Sequence, residues 1–263
     1  MSMCTLIIFY KMFHGYPVVA LHNRYEKRGT LEHPPTIMEG RFRVFCPLDV
    51  RSGGTWIGFN ERGLFAAVTD QHTALPVKAE KSRGELMLTV LRNFSSAENA
   101  ANYIKDNFGR GYKRGNFVVL DSEKGYHIIY DEKMIVRSIE RGIHVITNLM
   151  AVPGIEIPSE AIETFELAEA RRKRAVELAE NVPINGIEEA ILVIKKIAAD
   201  HGEGKSRKSI CYHDEVDWTM TSSIIIAVSK NLINSKILYC KGNPCENSFQ
   251  DYSYIVKEAL QSR

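Results

Sequence analysis

Cys4 stands directly ahead of the β-branched and aromatic run Thr5-Leu6-Ile7-Ile8-Phe9-Tyr10. Such a run predicts a buried strand, and a thiol at its mouth is held rigidly. If the residues before Cys4 are removed, its own α-amine comes within reach of its sulfur. An α-amine has a reference pKa of about 8, so it is partly a free base at neutral pH. A thiol and a base in one residue make a self-contained nucleophile pair. The plainer alternative is an inert buried cysteine. Loss of Met1 alone would expose Ser2 and leave Cys4 third, so the pair needs a start at Met3 or the trimming of Met1-Ser2-Met3. One of those two routes is expected.

Further reactive side chains fall at the ends of predicted strands: His22-Asn23-Arg24-Tyr25-Glu26, Asn60, Thr69-Asp70 and Thr147-Asn148. A sheet end presents side chains to a cleft on a rigid frame. Each segment alone reads as a turn or a cap, while with Cys4 they form one constellation. Metal chemistry has less support. No C-x-x-C or H-E-x-x-H pattern occurs. Cys211-Tyr212-His213 with Asp214, Glu215 and Asp217 offers ligand types without a recognised spacing, so no metal is expected.

The elements that must position these residues follow from periodicity. Strands are predicted at 5–10 and 18–22 around a turn at His14-Gly15-Tyr16-Pro17. A second hairpin, 54–58 and 64–69, turns at Asn60-Glu61-Arg62-Gly63. Helices are predicted over 84–93 and 97–107, the second capped by Ser95 or Ser96. Strands return at 116–121, 125–130, 134–138 and 144–147, followed by helices over 160–178, with Ser159 as cap, and 187–198. Two strands close the chain, at 221–229 and 236–240. Strands joined mainly by hairpins pair antiparallel. The order predicts an α+β fold, a four-layer αββα sandwich of two antiparallel sheets in one domain over 1–263. A split into two domains near residue 150 is the rival, though no linker-like stretch marks it.

The chain has 263 residues, 44% hydrophobic and 25% charged, with a net charge of +2. That balance leaves no electrostatic footprint for nucleic acid or an anionic membrane. The basic run Arg171-Arg172-Lys173-Arg174 reads as a solvated helix face. No apolar run is long enough to span a bilayer, and no signal peptide is visible. Five cysteines without a signal peptide point to reduced thiols and a cytoplasmic setting. Cys240 and Cys245 could pair, but free thiols are the expectation.

Several of these segments resemble the NRDE family. They are Cys4 before a strand, Asn23-Arg24-Tyr25-Glu26, Gly53-Gly54-Thr55-Trp56-Ile57-Gly58, Asn60-Glu61-Arg62-Gly63-Leu64 and Ser82-Arg83-Gly84-Glu85-Leu86. Tyr25 stands where that family has Asp. Met3-Cys4-Thr5, the turn Gly58–Leu64 and Thr147-Asn148 are more distantly similar to the N-terminal nucleophile (Ntn) amidohydrolases of the choloylglycine hydrolase and penicillin V acylase type. In those enzymes an oxyanion-hole Asn falls at Asp70, and a C-terminal Arg has no match in Thr219–Ile225. The resemblance implies an Ntn-type cysteine amidohydrolase cleaving a non-peptide C–N bond of a small molecule. Cys4 would be nucleophile, Arg24 would lower its pKa, and Glu26 would anchor its amine. Asp70 would orient amine or substrate, and Asn148 would serve the oxyanion. The NRDE resemblance equally implies a non-catalytic carrier of haem or another hydrophobic metabolite, with Cys4, His14, His22 and Tyr25 as candidate contacts. A partner-binding scaffold is the third reading. No cofactor is expected for the hydrolase.

Overall fold

Side chains along the first strand alternate between two cores. β1 (Thr5–Phe13) turns Leu6, Ile8 and Tyr10 toward one buried cluster and Ile7 and Phe9 toward another. A strand apolar on both faces must be covered on both, and this one is. The computed structural model of the protein describes residues 3–73, 79–202, 204–213 and 216–261. Met1, Ser2, Asp214 and Glu215 lie outside them.

The hairpin partner β2 (Tyr16–Lys27) runs five residues past the predicted end, so Asn23 to Glu26 sit within a strand rather than after it. The hairpin turn contracts to His14-Gly15, with Gly15 at φ +77°. Then come β3 (Glu32–Met38), β4 (Val44–Asp49), β5 (Ile57–Asn60) and β6 (Phe65–Asp70). Neither β3 nor β4 was predicted. Pro34-Pro35 argues against a central strand, and β3 is an edge strand of its sheet. The β5–β6 turn forms as expected: Asn60 Oδ1 accepts from the Arg62 and Leu64 amides, and Gly63 takes φ +82°.

The helices α1 (Arg83–Asn93) and α2 (Ala97–Asp106) precede β7 (Gly115–Leu120), β8 (Gly125–Tyr130), β9 (Met134–Ser138) and β10 (Gly142–Thr147). Ser96 caps α2. Next are α3 (Ile162–Ala179), α4 (Ile187–Ala198), β11 (Trp218–Val228), β12 (Lys236–Lys241), β13 (Gln250–Asp251) and α5 (Tyr254–Gln261). Ser159 does not cap α3. It opens a 3-10 turn, and Ala161 is the N-cap, without a side-chain bond.

One sheet has the order β10-β1-β2-β11-β12-β13 and the other β3-β4-β5-β6-β7-β8-β9, both antiparallel throughout. Leu6, Ile8, Ala20, Ile224 and Ile226 of the first sheet share one core with Phe45, Phe59, Phe65 and Phe117 of the second. Helices α1 and α2 cover the second sheet, and α3 and α4 the first. The expected αββα sandwich is the observed architecture. No helix among the described residues is long and apolar enough to cross a membrane.

Candidate functional site

The register of three strands places the central residues. Thr5 pairs with Asn23 on β2 and with Thr147 on β10. One step outward, Cys4 therefore stands between Arg24 and Asn148. Cys4 is buried, and its sulfur is tied to the next residue of β2. The Tyr25 amide donates to Sγ at 3.3 Å, and Sγ faces the Tyr25 carbonyl at 3.7 Å.

A cavity of about 410 Å³ opens onto Cys4. Arg24, Glu26 and Asp70 line it too, as do His22, Trp56 and Arg83. Nine of its nineteen described lining residues are charged, and Trp56 and Val68 are the only large apolar ones. Such a wall suits a small polar ligand.

Two of the three predicted charges in the cavity, Arg24 and Asp70, are held in ion pairs. The Arg24 guanidinium forks onto Glu32 and Asp49 at 2.5 Å each and lies 4.3 Å over the Trp56 ring. Burial works to lower the Arg24 pKa, but Glu32, Glu26 and Asp49 outweigh it and hold the group charged. Asp49 is kept below the usual carboxylate range: burial pushes it up, and the Ser52 amide and Arg24 more than reverse that. Burial raises the Glu26 carboxyl, against the pull of Arg24. Asp70, expected to orient amine or substrate, pairs with Arg83 of α1, which offsets its carboxylate.

Sequence reasoning missed the most telling group. Arg171 of α3 is fully buried, although its basic run reads as a solvated face. It donates to Asn148 Oδ1 at 2.5 Å, to the Arg207 carbonyl at 2.6 Å and toward Met3 Sδ at 3.4 Å. Burial drives its pKa down to about 10, while Cys4 and Tyr25 pull it back up. The same attraction favours a thiolate at Cys4. A signal was present. Ala168, Arg171, Ala175 and Ala179 are buried on one helical stripe, and small neighbours leave room for a long side chain. Arg171 also has a consequence for Asn148. With Oδ1 taken, the buried Asn148 Nδ2 has no partner among the described residues.

The four candidate haem contacts do not converge. Cys4 and His22 line the cavity, but His14 is exposed at the opposite end of the β1–β2 hairpin. Tyr25 shares a buried cluster with Cys4 but does not line the cavity; its ring stacks on Tyr212 at 5.4 Å and its hydroxyl donates to the Tyr212 carbonyl. His22 is fully buried with both ring nitrogens unpartnered among the described residues, and burial lowers its pKa to about 3. Metal-ligand types do converge away from the cavity. Cys211 and His213 meet His201 and Cys245, which the sequence did not link to them. Asp217 is exposed and contributes its carbonyl to the Arg28 amide. Cys240 does not pair with Cys245, and none of the five cysteines is in a disulfide among the described residues.

The segments shared with the NRDE family have a packing reason. Gly54 passes so close to α1 that a Cβ there would lie 2.2 Å from the Gly84 carbonyl carbon and 2.4 Å from the Glu85 nitrogen. Ser82 caps α1 by accepting from the Gly84 amide. This crossing sets Trp56 and Arg83 in the cavity wall.

Solved structures share the fold. Penicillin V acylase from Agrobacterium tumefaciens is 14% identical, with 97% of this chain and 89% of that one covered at a TM-score of 0.59. A mutant conjugated bile acid hydrolase from Clostridium perfringens is 14% identical, with 96% of each chain covered at 0.55. The N-acylethanolamine-hydrolyzing acid amidase ortholog of Caenorhabditis elegans is 11% identical, covering 85% of this chain and 92% of its own at 0.52. These likenesses establish the Ntn-hydrolase fold. No curated protein sequence matches. The family model described as Transport and Golgi organisation 2 matches residues 3–231, which includes every described residue of the cavity, and the chain belongs to that family.

Proposed function

We propose that the chain is an Ntn-type cysteine amidohydrolase cleaving the C–N bond of a small, polar, linear or cyclic amide. Cys4 is the nucleophile once the residues ahead of it are removed. The observation that carries this reading is Asn148, opposite Cys4 in register, with its oxygen held by Arg171 and its buried amide nitrogen unpartnered among the described residues.

In this reading the Cys4 α-amine takes the thiol proton, and the thiolate attacks the substrate carbonyl. The oxygen that gains charge accepts from Asn148 Nδ2, a type of contact worth about 3–4 kcal/mol in proteases. The amine returns its proton to the leaving nitrogen, the C–N bond breaks, and a thioester remains. Water, deprotonated by the same amine, hydrolyses the thioester and frees the thiol. Arg171 favours the thiolate, and Glu26 anchors the amine. Asp70, offset by Arg83, orients amine or substrate. Arg24 is compensated by Glu32 and Asp49, so it serves the cavity wall more than the thiol.

A haem carrier fits the described cavity less well. Cys4 and His22 are axial-ligand types, but charged and polar side chains make up most of the wall, whereas a porphyrin face needs an apolar slot.

The test is intact-mass analysis of natively expressed protein with and without a thiol-reactive amide mimic. The expected mass begins at Cys4 and shifts on labelling, and Cys4→Ala no longer labels. A mature chain that keeps Met3 ahead of an unreactive Cys4 lacks the amine base and overturns the proposal.

A further inference from the structure

His201, Cys211, His213 and Cys245 offer four ligand atoms that lie within 4.8 Å of one another. They come from three stretches of chain: His201 follows α4, Cys211 and His213 precede β11, and Cys245 follows β12. The closest approaches define a small cage. Cys211 Sγ is 3.6 Å from Cys245 Sγ and 3.7 Å from His213 Nε2. His213 Nε2 is 3.1 Å from Cys245 Sγ and 3.2 Å from His201 Nε2.

A tetrahedral zinc has arms of about 2.3 Å to sulfur and about 2.0–2.1 Å to nitrogen, which sets edges of about 3.8 Å between sulfurs, about 3.3 Å between nitrogens and about 3.6 Å between sulfur and nitrogen. The four measured separations follow that pattern, with the Cys245–His213 edge the tightest. Two thiols and two imidazoles in a tetrahedron are the donor set for zinc.

The surroundings point the same way. His213 Nδ1 lies 3.5 Å from Glu246 Oε1. A proton held on Nδ1 by that carboxylate leaves Nε2, the atom facing the cluster, as a bare lone pair. Carboxylate–histidine pairs of this kind orient metal-binding imidazoles. Asn243 Nδ2 lies 3.8 Å from Cys211 Sγ, 3.2 Å from the Tyr212 carbonyl and 3.2 Å from His213 Nε2, a donor beside the sulfur and ring. A disulfide between Cys211 and Cys245 is the rival. It would need the sulfurs to close from 3.6 Å to about 2.05 Å. It would also leave the two imidazoles outside the bond, whereas one cation engages all four groups.

We propose that His201, Cys211, His213 and Cys245 bind one zinc ion in a closed, structural site. Four protein ligands leave no open position for substrate, so its work is to tie the chain together. Tyr212 sits between two of the ligands and carries the stack on Tyr25, whose amide donates to Cys4 Sγ. The ion thereby clamps the loop that packs behind Cys4. This inference stands on the cluster alone and does not depend on the proposed hydrolysis.

The test is metal analysis of the full chain purified under reducing conditions and supplied with zinc chloride, followed by cobalt substitution. The expected content is about one zinc per chain. Cobalt is expected to give the visible absorption of a tetrahedral ion together with thiolate-to-cobalt charge transfer. Cys211 is buried and its variant could unfold, so the deciding variants are Cys245→Ser, at an exposed position, and His201→Ala. Both should lose the zinc and the cobalt spectrum, while Cys46→Ser retains them. Zinc should also slow alkylation of Cys245. A folded, reduced chain that takes up no zinc overturns the site. So does full zinc content in both variants, or a Cys211–Cys245 disulfide in natively purified protein whose thiols were blocked at lysis.

Discussion

In the proposed reaction, Arg171 is the residue on which the reactivity of Cys4 would turn. It is a fully buried cation, its pKa depressed first by burial, and its interaction with Cys4 opposes that depression. Reciprocity makes the thiol easier to ionise while the arginine is charged. Arg171→Gln is therefore expected to move the pH profile of Cys4 alkylation upward by about one unit or more. Arg171→Lys, which keeps the charge, should restore much of that shift if the variant folds, as followed by circular dichroism. An unchanged profile in a folded Arg171→Gln protein would remove the arginine from the mechanism. Arg24 is the contrasting case. Its two carboxylate partners make its charge largely local, so substitution there should affect the cavity wall and stability before it affects the thiol.

At the scale of elements, the crossing of Gly54 over the start of α1 holds the cavity open. The backbones meet at Gly54 and Gly84 because neither carries a side chain, and the contact lets Arg83 reach Asp70 while Trp56 lies under Arg24. Gly54→Ala would force a Cβ into backbone atoms of Gly84 and Glu85, which cannot rotate away. The expected cost is about 1–3 kcal/mol, of the kind caused by overpacking. Chemical denaturation should report it, with Cys4 labelling altered in parallel as α1 shifts. Wild-type stability in Gly54→Ala would mean that the helix start yields freely. The neighbouring turn is pinned differently. Asn60 spends both ends of its side chain, accepting from Arg62 and Leu64 and donating to the Leu91 and Phe94 carbonyls, so one residue joins the β5–β6 turn to the end of α1.

For the whole molecule, two buried histidines tie stability to pH. His22 and His127 are each lowered from 6.5 to about 3, in both cases first by burial, and so are neutral in the folded protein at pH 7. Below pH 6.5 the unfolded chain binds protons that the folded chain refuses. Their contribution is therefore complete above about 6.5 and is lost as pH falls toward about 3, by on the order of a few kcal/mol for each ring. Denaturation measured between about pH 7 and pH 4 should show this slope, and His22→Gln should flatten it. An identical slope in that variant would mean that His22 is charged in the folded state.

Much of the architecture was legible along the chain because strands and helices are written in local periodicity. Strands β5 to β10 and helices α1 to α4 follow their predicted spans within a few residues. Strand β3 escaped because Pro34-Pro35 masks an edge strand, which needs fewer amide donors. The position of Cys4 before β1, and the segments around Gly54, Asn60 and Gly84, pointed to the cavity region from sequence, since each reflects a local backbone demand. What only the tertiary structure decided is which charges and ligands meet. Arg171 reaches Asn148 across 23 positions, and Cys211 reaches Cys245 across 34. No local period records such an approach, because it depends on how α3 and the loops beside β11 and β12 pack against the first sheet. The same packing decides that Arg24 is compensated, that Arg171 is buried, and that two histidines and two cysteines share one small cage.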